Sequence, residues 1–237
     1  MNSVFHSSDS RGHANHGWLN TYHSFSFASW HNPERMHFGA LRVLNDDAVG
    51  RNAGFGTHPH ENMEIVSIPL SGSLEHRDSM GNATVIREGD IQIMSAGNGI
   101  MHSEKNHSSA EEVHFLQIWV FPNERNLSPS YGQITTSREE QMNKLQCVVS
   151  PDGREGYKFT KELGFAWAIC HRAGETITPC TMKGKACTSW FLTVRPSLVV
   201  RISCVETPSE FGTPKTFKSN PDKMHTFLQS RCRCSGD

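Results

Sequence analysis

The chain has 237 residues, which is enough for one large domain or two small ones, each with its own hydrophobic core. Hydrophobic residues make up 36% of the chain and charged residues 20%, a balance that excludes a disordered or fibrous protein. The net charge of −1 argues against nucleic acid or an anionic membrane as the main partner. No apolar run reaches the roughly 18 residues of a membrane-spanning helix.

The cysteines and the N-terminal residues indicate the cellular compartment. The first residues contain no apolar segment typical of a secretion signal. The seven cysteines form no CxxC pair, which favours reduced thiols. We therefore expect a cytoplasmic protein.

Short strands separated by turn residues dominate the first 145 residues. Spacings of 8–12 residues, with Gly, Asn and Asp in the turns, are typical of an all-β sandwich or barrel. Helical periodicity is weak, and Ser137–Leu145 is the best helical segment, while Pro151–Gly153 marks a domain boundary. The predicted strands, in chain order, are Phe38–Leu44, Glu64–Leu70, Ala83–Arg87, Asp90–Met94 and Val113–Phe121.

The first histidine motif is the sequence GTHPHENME, in which His58 and His60 are two positions apart. Side chains at positions i and i+2 of a strand lie on one face, about 6–7 Å apart along the strand. Two imidazoles at this spacing can converge on one metal ion, with bonds of about 2.0–2.1 Å. A single HxH sequence is common by chance, so this motif alone is weak support for a metal site.

The second motif, GDIQIMSAGNGIMHSE, repeats the same spacing with His102 and Glu104. Gly97 and Gly99 allow a tight turn before His102. If the strands that carry the two motifs are neighbours in a barrel, three histidines and one carboxylate converge. The two motifs together, separated by Gly-rich turns, support a metal site far better than either one alone.

Three imidazoles and one carboxylate favour a transition metal. This donor set suits iron, manganese, nickel, copper or zinc better than calcium or magnesium. Four protein ligands on an ion that can take six leave two positions, which would accept a substrate and dioxygen. The sequence alone does not select one metal from this group.

These segments resemble the pirin family of the cupin superfamily, and most closely its bacterial quercetin 2,3-dioxygenases. The resemblance covers about residues 10–157. It rests on the two histidine motifs and on the sequences HGWLNTYHSFSFASW, GALRVLNDDAV and VHFLQIWVFP. It implies that the metal ligands are His58, His60, His102 and Glu104, the same four residues that the spacing selects. Glu64, the acid of the first cupin motif, is not a ligand in pirins.

The resemblance also implies a bicupin fold, in which two jelly-roll β-barrels follow one another and only the first binds metal. We assign residues 1–148 to the N-terminal metal-binding cupin domain and residues 149–237 to a divergent C-terminal cupin-like domain without metal ligands. Beyond Arg172–Thr178 the sequence has poor period-2 alternation, and Pro interrupts the candidate strands. Two explanations stay open for this irregular second barrel: divergence of a domain that has no ligands to keep, or a reading-frame change in the gene.

The resemblance implies a dioxygenase that opens the ring of a flavonol such as quercetin with O2 and releases CO. The expected cofactor is one divalent transition metal, Fe(II) first, with Mn, Ni, Co, Cu or Zn as alternatives. Glu104 is the expected catalytic residue, because it can accept the proton of the substrate hydroxyl. The expected partners are a phenolic substrate and O2, without direct contact to nucleic acid or a membrane, and the protein is expected to be a monomer.

Two other functions stay open at this point. One is a non-enzymatic, pirin-like regulatory protein that senses a metal or its redox state and acts through a protein partner. The other is a cupin isomerase or a simple metal-binding scaffold.

Overall fold

Strands are the main regular structure in the described part of the protein, as the sequence predicts. The computed structural model describes residues 2–6, 8–137, 146–150, 157–158, 165–167, 187–193 and 199–205. Within these residues the only helical element is a short 3-10 turn at Ser8–Ser10. Residues 138–145 of the predicted helix and the predicted boundary at Pro151–Gly153 lie outside the described residues, as does most of the predicted C-terminal domain.

Seventeen strands are present in the described part of the chain. Their bounds are β1 (Asn2–His6), β2 (Gly12–Asn15), β3 (Leu19–His23), β4 (Leu41–Val49), β5 (Gly54–His60), β6 (Glu64–Ser71), β7 (Ser73–Asp78), β8 (Ala83–Arg87), β9 (Asp90–Ser95), β10 (Ile100–Asn106), β11 (Val113–Val120), β12 (Ser130–Thr135), β13 (Gln146–Ser150), β14 (Tyr157–Lys158), β15 (Phe165–Trp167), β16 (Cys187–Thr193) and β17 (Val199–Val205).

Two sheets face each other and enclose the interior of a β-barrel. The larger sheet has seven strands in the order β12-β9-β6-β11-β4-β3-β2, and the smaller has the order β5-β10-β7-β8. Hydrogen bonds join the sheets across the interior, for example from Ser67 on β6 to Glu104 on β10. Two further sheets have the orders β1-β17-β16 and β14-β13-β15, so the first strand of the chain pairs with the last described one.

The predicted strands agree closely with the observed ones. Four of the five differ by one residue at most, because turns close them where the sequence indicates. The exception is Phe38–Leu44, since the regular strand begins at Leu41 and runs to Val49. Gly39 has a φ of +55°, and Phe38 and Leu41 pair across a tight two-residue turn. This turn separates Phe38 from β4.

Alternate residues of the seven-stranded sheet pack on its two faces. One face points into the barrel, and the other buries a separate apolar cluster that includes Leu116 and Ile118. Val148 and Val149 of β13 belong to this outer cluster, so β13 covers the sheet on the side away from the barrel interior. The domain boundary after residue 148 stays a prediction, as does the second barrel. Among the described residues, no helix is long and apolar enough to cross a membrane.

Candidate metal centre

The pairing of β5 with β10 brings the two histidine motifs together. The two strands are antiparallel, with His102 opposite His58 and Ile100 opposite His60. The ligand nitrogens of His58, His60 and His102 lie within 4.8 Å of one another. The strand pairing therefore places three imidazoles at one point, as the i, i+2 spacing predicts.

The ring contacts of His58 and His102 are those expected of metal ligands. The Nδ1–H of His58 donates to the carbonyl of Gly56 at 2.7 Å, which leaves its Nε2 free to accept or ligate. The Nε2 atoms of His58 and His102 are 2.9 Å apart. Two imidazole nitrogens bound at right angles to one ion, each about 2.05 Å from it, would be separated by about 2.9 Å. The two rings therefore already have the spacing of a ligand pair.

Two of the three clustered histidines, His60 and His102, are held in their neutral form. Burial, together with the neighbouring His58, lowers the pKa of His60 to about 4. Burial lowers the pKa of His102 still further, to about 2, with contributions from His58 and His60. Since a metal binds the neutral imidazole, these two ligands lose no proton when the site is filled near neutral pH. The chemistry and the spacing of the three histidines fit a divalent transition metal.

Glu104 lies beside this cluster but outside the group of mutually close ligand atoms. Its carboxyl group is fully buried and contacts two side chains of the facing sheet. Gln117 Nε2 donates to Glu104 Oε2 at 2.6 Å, while the Oγ of Ser67 lies 3.0 Å from Glu104 Oε1. The structure thus unites three of the four predicted ligands and holds the fourth side chain by hydrogen bonds.

The hydrogen bonds of Glu104 are satisfied when its carboxyl is protonated. Ser67 has one proton but contacts two acceptors, Glu104 Oε1 and, at 2.8 Å, Gln117 Oε1. If Glu104 carries a proton on Oε1, it donates to Ser67, Ser67 donates to Gln117, and Gln117 donates back to Glu104. Burial, reinforced by the charge of Asp47, raises the pKa of Glu104 to about 7. At neutral pH, both the protonated and the ionised form of Glu104 are therefore populated.

A cavity of about 420 Å³ opens beside His60. Its walls come from the ends of β5 and β10 and from the turn after β7, including Pro59, Ser79 and Met101. On the inner side, the Trp119 ring meets the His60 ring edge to face, with centroids 4.9 Å apart. Of the three clustered histidines, His60 lines this cavity. His58 and His60 are both partly exposed, so the cluster can be reached from solvent.

Several interior residues near the cluster were not predicted as part of the site. Trp119 is expected to be a core residue, and His76 is expected to stabilise a turn with Asp78. The bond from His76 Nε2 to Asp78 is present at 3.1 Å, but the His76 ring is completely buried and lies 5.4 Å from that of His102. On β11, Gln117 faces the interior, whereas His114 lies on the other face and bonds to Asp46.

Comparison with known proteins matches this part of the chain to one family. A model of the pirin family matches residues 4–120. The quercetin 2,3-dioxygenase of Escherichia coli K12 is 52% identical over 146 residues, which are 62% of this chain and 62% of that protein. A pirin-like protein of Caulobacter vibrioides is 42% identical over 142 residues, 60% of this chain and 61% of that protein.

A solved structure extends the similarity to the fold. The bacterial pirin YhhW of Escherichia coli in complex with nickel(II) has a TM-score of 0.64 and 46% identity, covering 67% of this chain and 68% of that one. The chain spans about 62% of the length of the first curated relatives that it matches. The matched segment contains all three clustered histidines and Glu104, and this chain belongs to the pirin family.

Proposed function

We propose that the protein is a metal-dependent dioxygenase that opens the ring of a flavonol such as quercetin with O2 and releases CO. The proposed metal is Fe(II), held by His58, His60, His102 and Glu104. The proposed partners are the phenolic substrate and O2. The named activity of the Escherichia coli relative supports this assignment.

One structural observation carries the proposal. Three imidazoles converge at a partly exposed position, and burial keeps those of His60 and His102 neutral. A buried carboxyl with a pKa of about 7 lies next to them. A purely structural metal site closes its coordination with protein ligands and needs no group that exchanges protons. A carboxyl poised near neutral pH is instead typical of a general base, because its pKa matches the pH at which it works.

The bound metal would supply an electrophilic centre that lowers the pKa of a phenolic hydroxyl and supports redox chemistry with O2. The proposed role of Glu104 is to accept the proton of the substrate hydroxyl on Oε1. Ser67 and Gln117 are proposed to orient the carboxyl and to stabilise the proton once it has arrived. Trp119 gives a flat apolar wall beside His60, suited to contact with a planar aromatic ring.

Oxygen uptake by protein loaded anaerobically with Fe(II) tests the proposal. With quercetin as substrate, we expect O2 consumption and CO release in equal amounts. His58→Ala is expected to lose bound metal and turnover together. Glu104→Gln is expected to lose turnover more completely than it loses metal, because the amide cannot accept the proton.

His114→Ala is the matched control, since His114 is on the same barrel but faces away from the interior. It is expected to keep both bound metal and O2 uptake. One metal per chain without O2 uptake would contradict the proposal and favour a non-enzymatic regulatory protein. Full activity in Glu104→Gln would contradict the assignment of Glu104 as the base.

A further inference from the structure

Polar side chains surround the barrel interior at the level of Glu104. We call this ring of six residues the polar belt. It consists of Ser67, His76, Gln92, Glu104, Gln117 and Gln133.

Strand register and hydrogen bonds close the polar belt. Across the four-stranded sheet, Glu104 is the strand partner of His76. Across the seven-stranded sheet, Gln92 lies between its strand partners Gln133 and Ser67. Directly opposed residues project to the same face of a sheet, so these side chains all face the interior.

The remaining gaps in the belt are bridged by side chains. Gln117 is the strand partner of Ser67 and donates to Glu104, which returns the belt to β10. Between His76 and Gln133, Tyr131 stacks on the His76 ring at 4.9 Å and donates to Gln133 at 3.3 Å. The belt therefore runs continuously round the barrel.

Gln92 is the exception in the polar belt. Its side chain is completely buried, yet neither its Oε1 nor its Nε2 has a hydrogen-bond partner among the described residues. Each of the other five makes at least one side-chain hydrogen bond. A buried amide without partners is costly to the folded protein, so the Gln92 carboxamide calls for a partner that the described side chains do not supply.

We propose that Gln92 is a specificity-determining residue that binds a carbonyl and a neighbouring hydroxyl of the phenolic substrate. Its Nε2–H donates to the carbonyl, and its Oε1 accepts from the hydroxyl. Gln92 is suited to this pair because a carboxamide offers a donor and an acceptor side by side. The inference rests on the proposed function, since it assumes that a phenolic substrate enters the barrel.

The position of Gln92 relative to Glu104 supports this assignment. Gln92 is on the strand next to Ser67, and neighbouring strands are about 4.8 Å apart. Ser67 in turn contacts Glu104. A ligand whose reacting hydroxyl meets Glu104 therefore presents its adjacent oxygens towards Gln92. In a flavonol, the 4-carbonyl and the 5-hydroxyl are next to the reacting 3-hydroxyl.

Binding of two flavonols that differ by one oxygen tests the proposal. Quercetin has the 5-hydroxyl, and fisetin is the same compound without it. Dissociation constants are measured anaerobically on protein loaded with Zn(II), which is redox-inert, so that no turnover occurs. We expect the wild-type protein to bind quercetin several-fold more tightly than fisetin, because fisetin lacks the hydroxyl that would donate a hydrogen bond to Gln92.

Gln92→Met removes both polar atoms at nearly constant volume. It is expected to bind quercetin about tenfold more weakly than wild type and to bind quercetin and fisetin equally. Its melting temperature is expected to be unchanged or higher, because no hydrogen bond within the protein is lost. Gln133→Met is the matched control: its side chain bonds to the Val85 carbonyl, and the ratio of quercetin to fisetin affinity should stay at the wild-type value.

Two results separate failure of this inference from failure of the proposed function. If wild type binds both flavonols and Gln92→Met keeps the wild-type affinity ratio, the role of Gln92 is overturned while the proposed function stands. If wild type binds neither flavonol at full metal loading, the proposed function fails and the inference fails with it.

Discussion

The two sheets of the barrel contribute different residues to the candidate site and to the hydrophobic core. The four-stranded sheet supplies the three clustered histidines and Glu104, all from β5 and β10. The seven-stranded sheet supplies no member of the histidine cluster; it supplies Ser67 and Gln117, which hold the Glu104 carboxyl, and most of the buried apolar residues. Metal affinity should therefore depend on one sheet and the stability of the fold mainly on the other.

Removing a histidine from the four-stranded sheet should produce the largest effect. His102→Ala deletes one of three close imidazoles, and the affinity for Zn(II) or Ni(II) is expected to fall about 1000-fold. Deleting the His102 ring leaves a cavity but also removes a buried nitrogen without a partner, so the melting temperature of the metal-free protein is expected to fall only slightly. Competition with a chromophoric chelator measures the affinity, with His114→Ala as the control that keeps it.

Truncating the outer core of the seven-stranded sheet should lower the stability of the fold and leave metal binding unchanged. Leu116 is completely buried in the cluster that Val148 and Val149 complete. Leu116→Ala is expected to lower the free energy of unfolding by about 2–5 kcal/mol through lost burial and a residual cavity. Metal stoichiometry below the unfolding transition should stay at the wild-type value. A comparable loss of metal affinity would show that the two sheets do not act separately.

The sequence predicted the ligand strands better than their surroundings, for a physical reason. His58, His60, His102 and Glu104 are in two short motifs, where the period of a strand alone determines which side chains share a face. Gly97 and Gly99 also predicted the turn before β10, and both adopt positive φ angles in the structure. The three histidines therefore converge as predicted, and the assignment of Glu104 to the ligand set stays a prediction.

The polar belt could not be predicted in the same way. Ser67 lies in the middle of the apolar strand sequence EIVSIPLS, and Gln92 lies in the strand sequence DIQIMS. Their common position depends on the register between β6 and β9, which is set by the packing of the whole sheet. The only local signal was a polar residue on an otherwise apolar strand, which does not indicate its neighbours. The burial of His76 could not be predicted either, because it follows from the pairing of β7 with β10.

The protonation of Glu104 gives a smaller effect that links the two sheets. The pKa of Glu104 is raised from 4.5 to about 7 in the folded chain, mainly by burial. Between these values the folded state keeps a proton that the unfolded state has released, so the free energy of unfolding falls as the pH rises. For a fully buried group, the shift corresponds to about 3 kcal/mol at most.

Glu104→Gln removes this contribution, because its amide does not titrate. In metal-free protein, the free energy of unfolding of the variant minus that of wild type is expected to increase from pH 4.5 to pH 7 and to level off above pH 7. Urea titrations at several pH values measure the difference, and contributions from Asp47, His60 and His102 are present in both proteins. A difference that stays constant over this range would mean that Glu104 is ionised throughout, and that Ser67 and Gln117 stabilise a carboxylate rather than the acid.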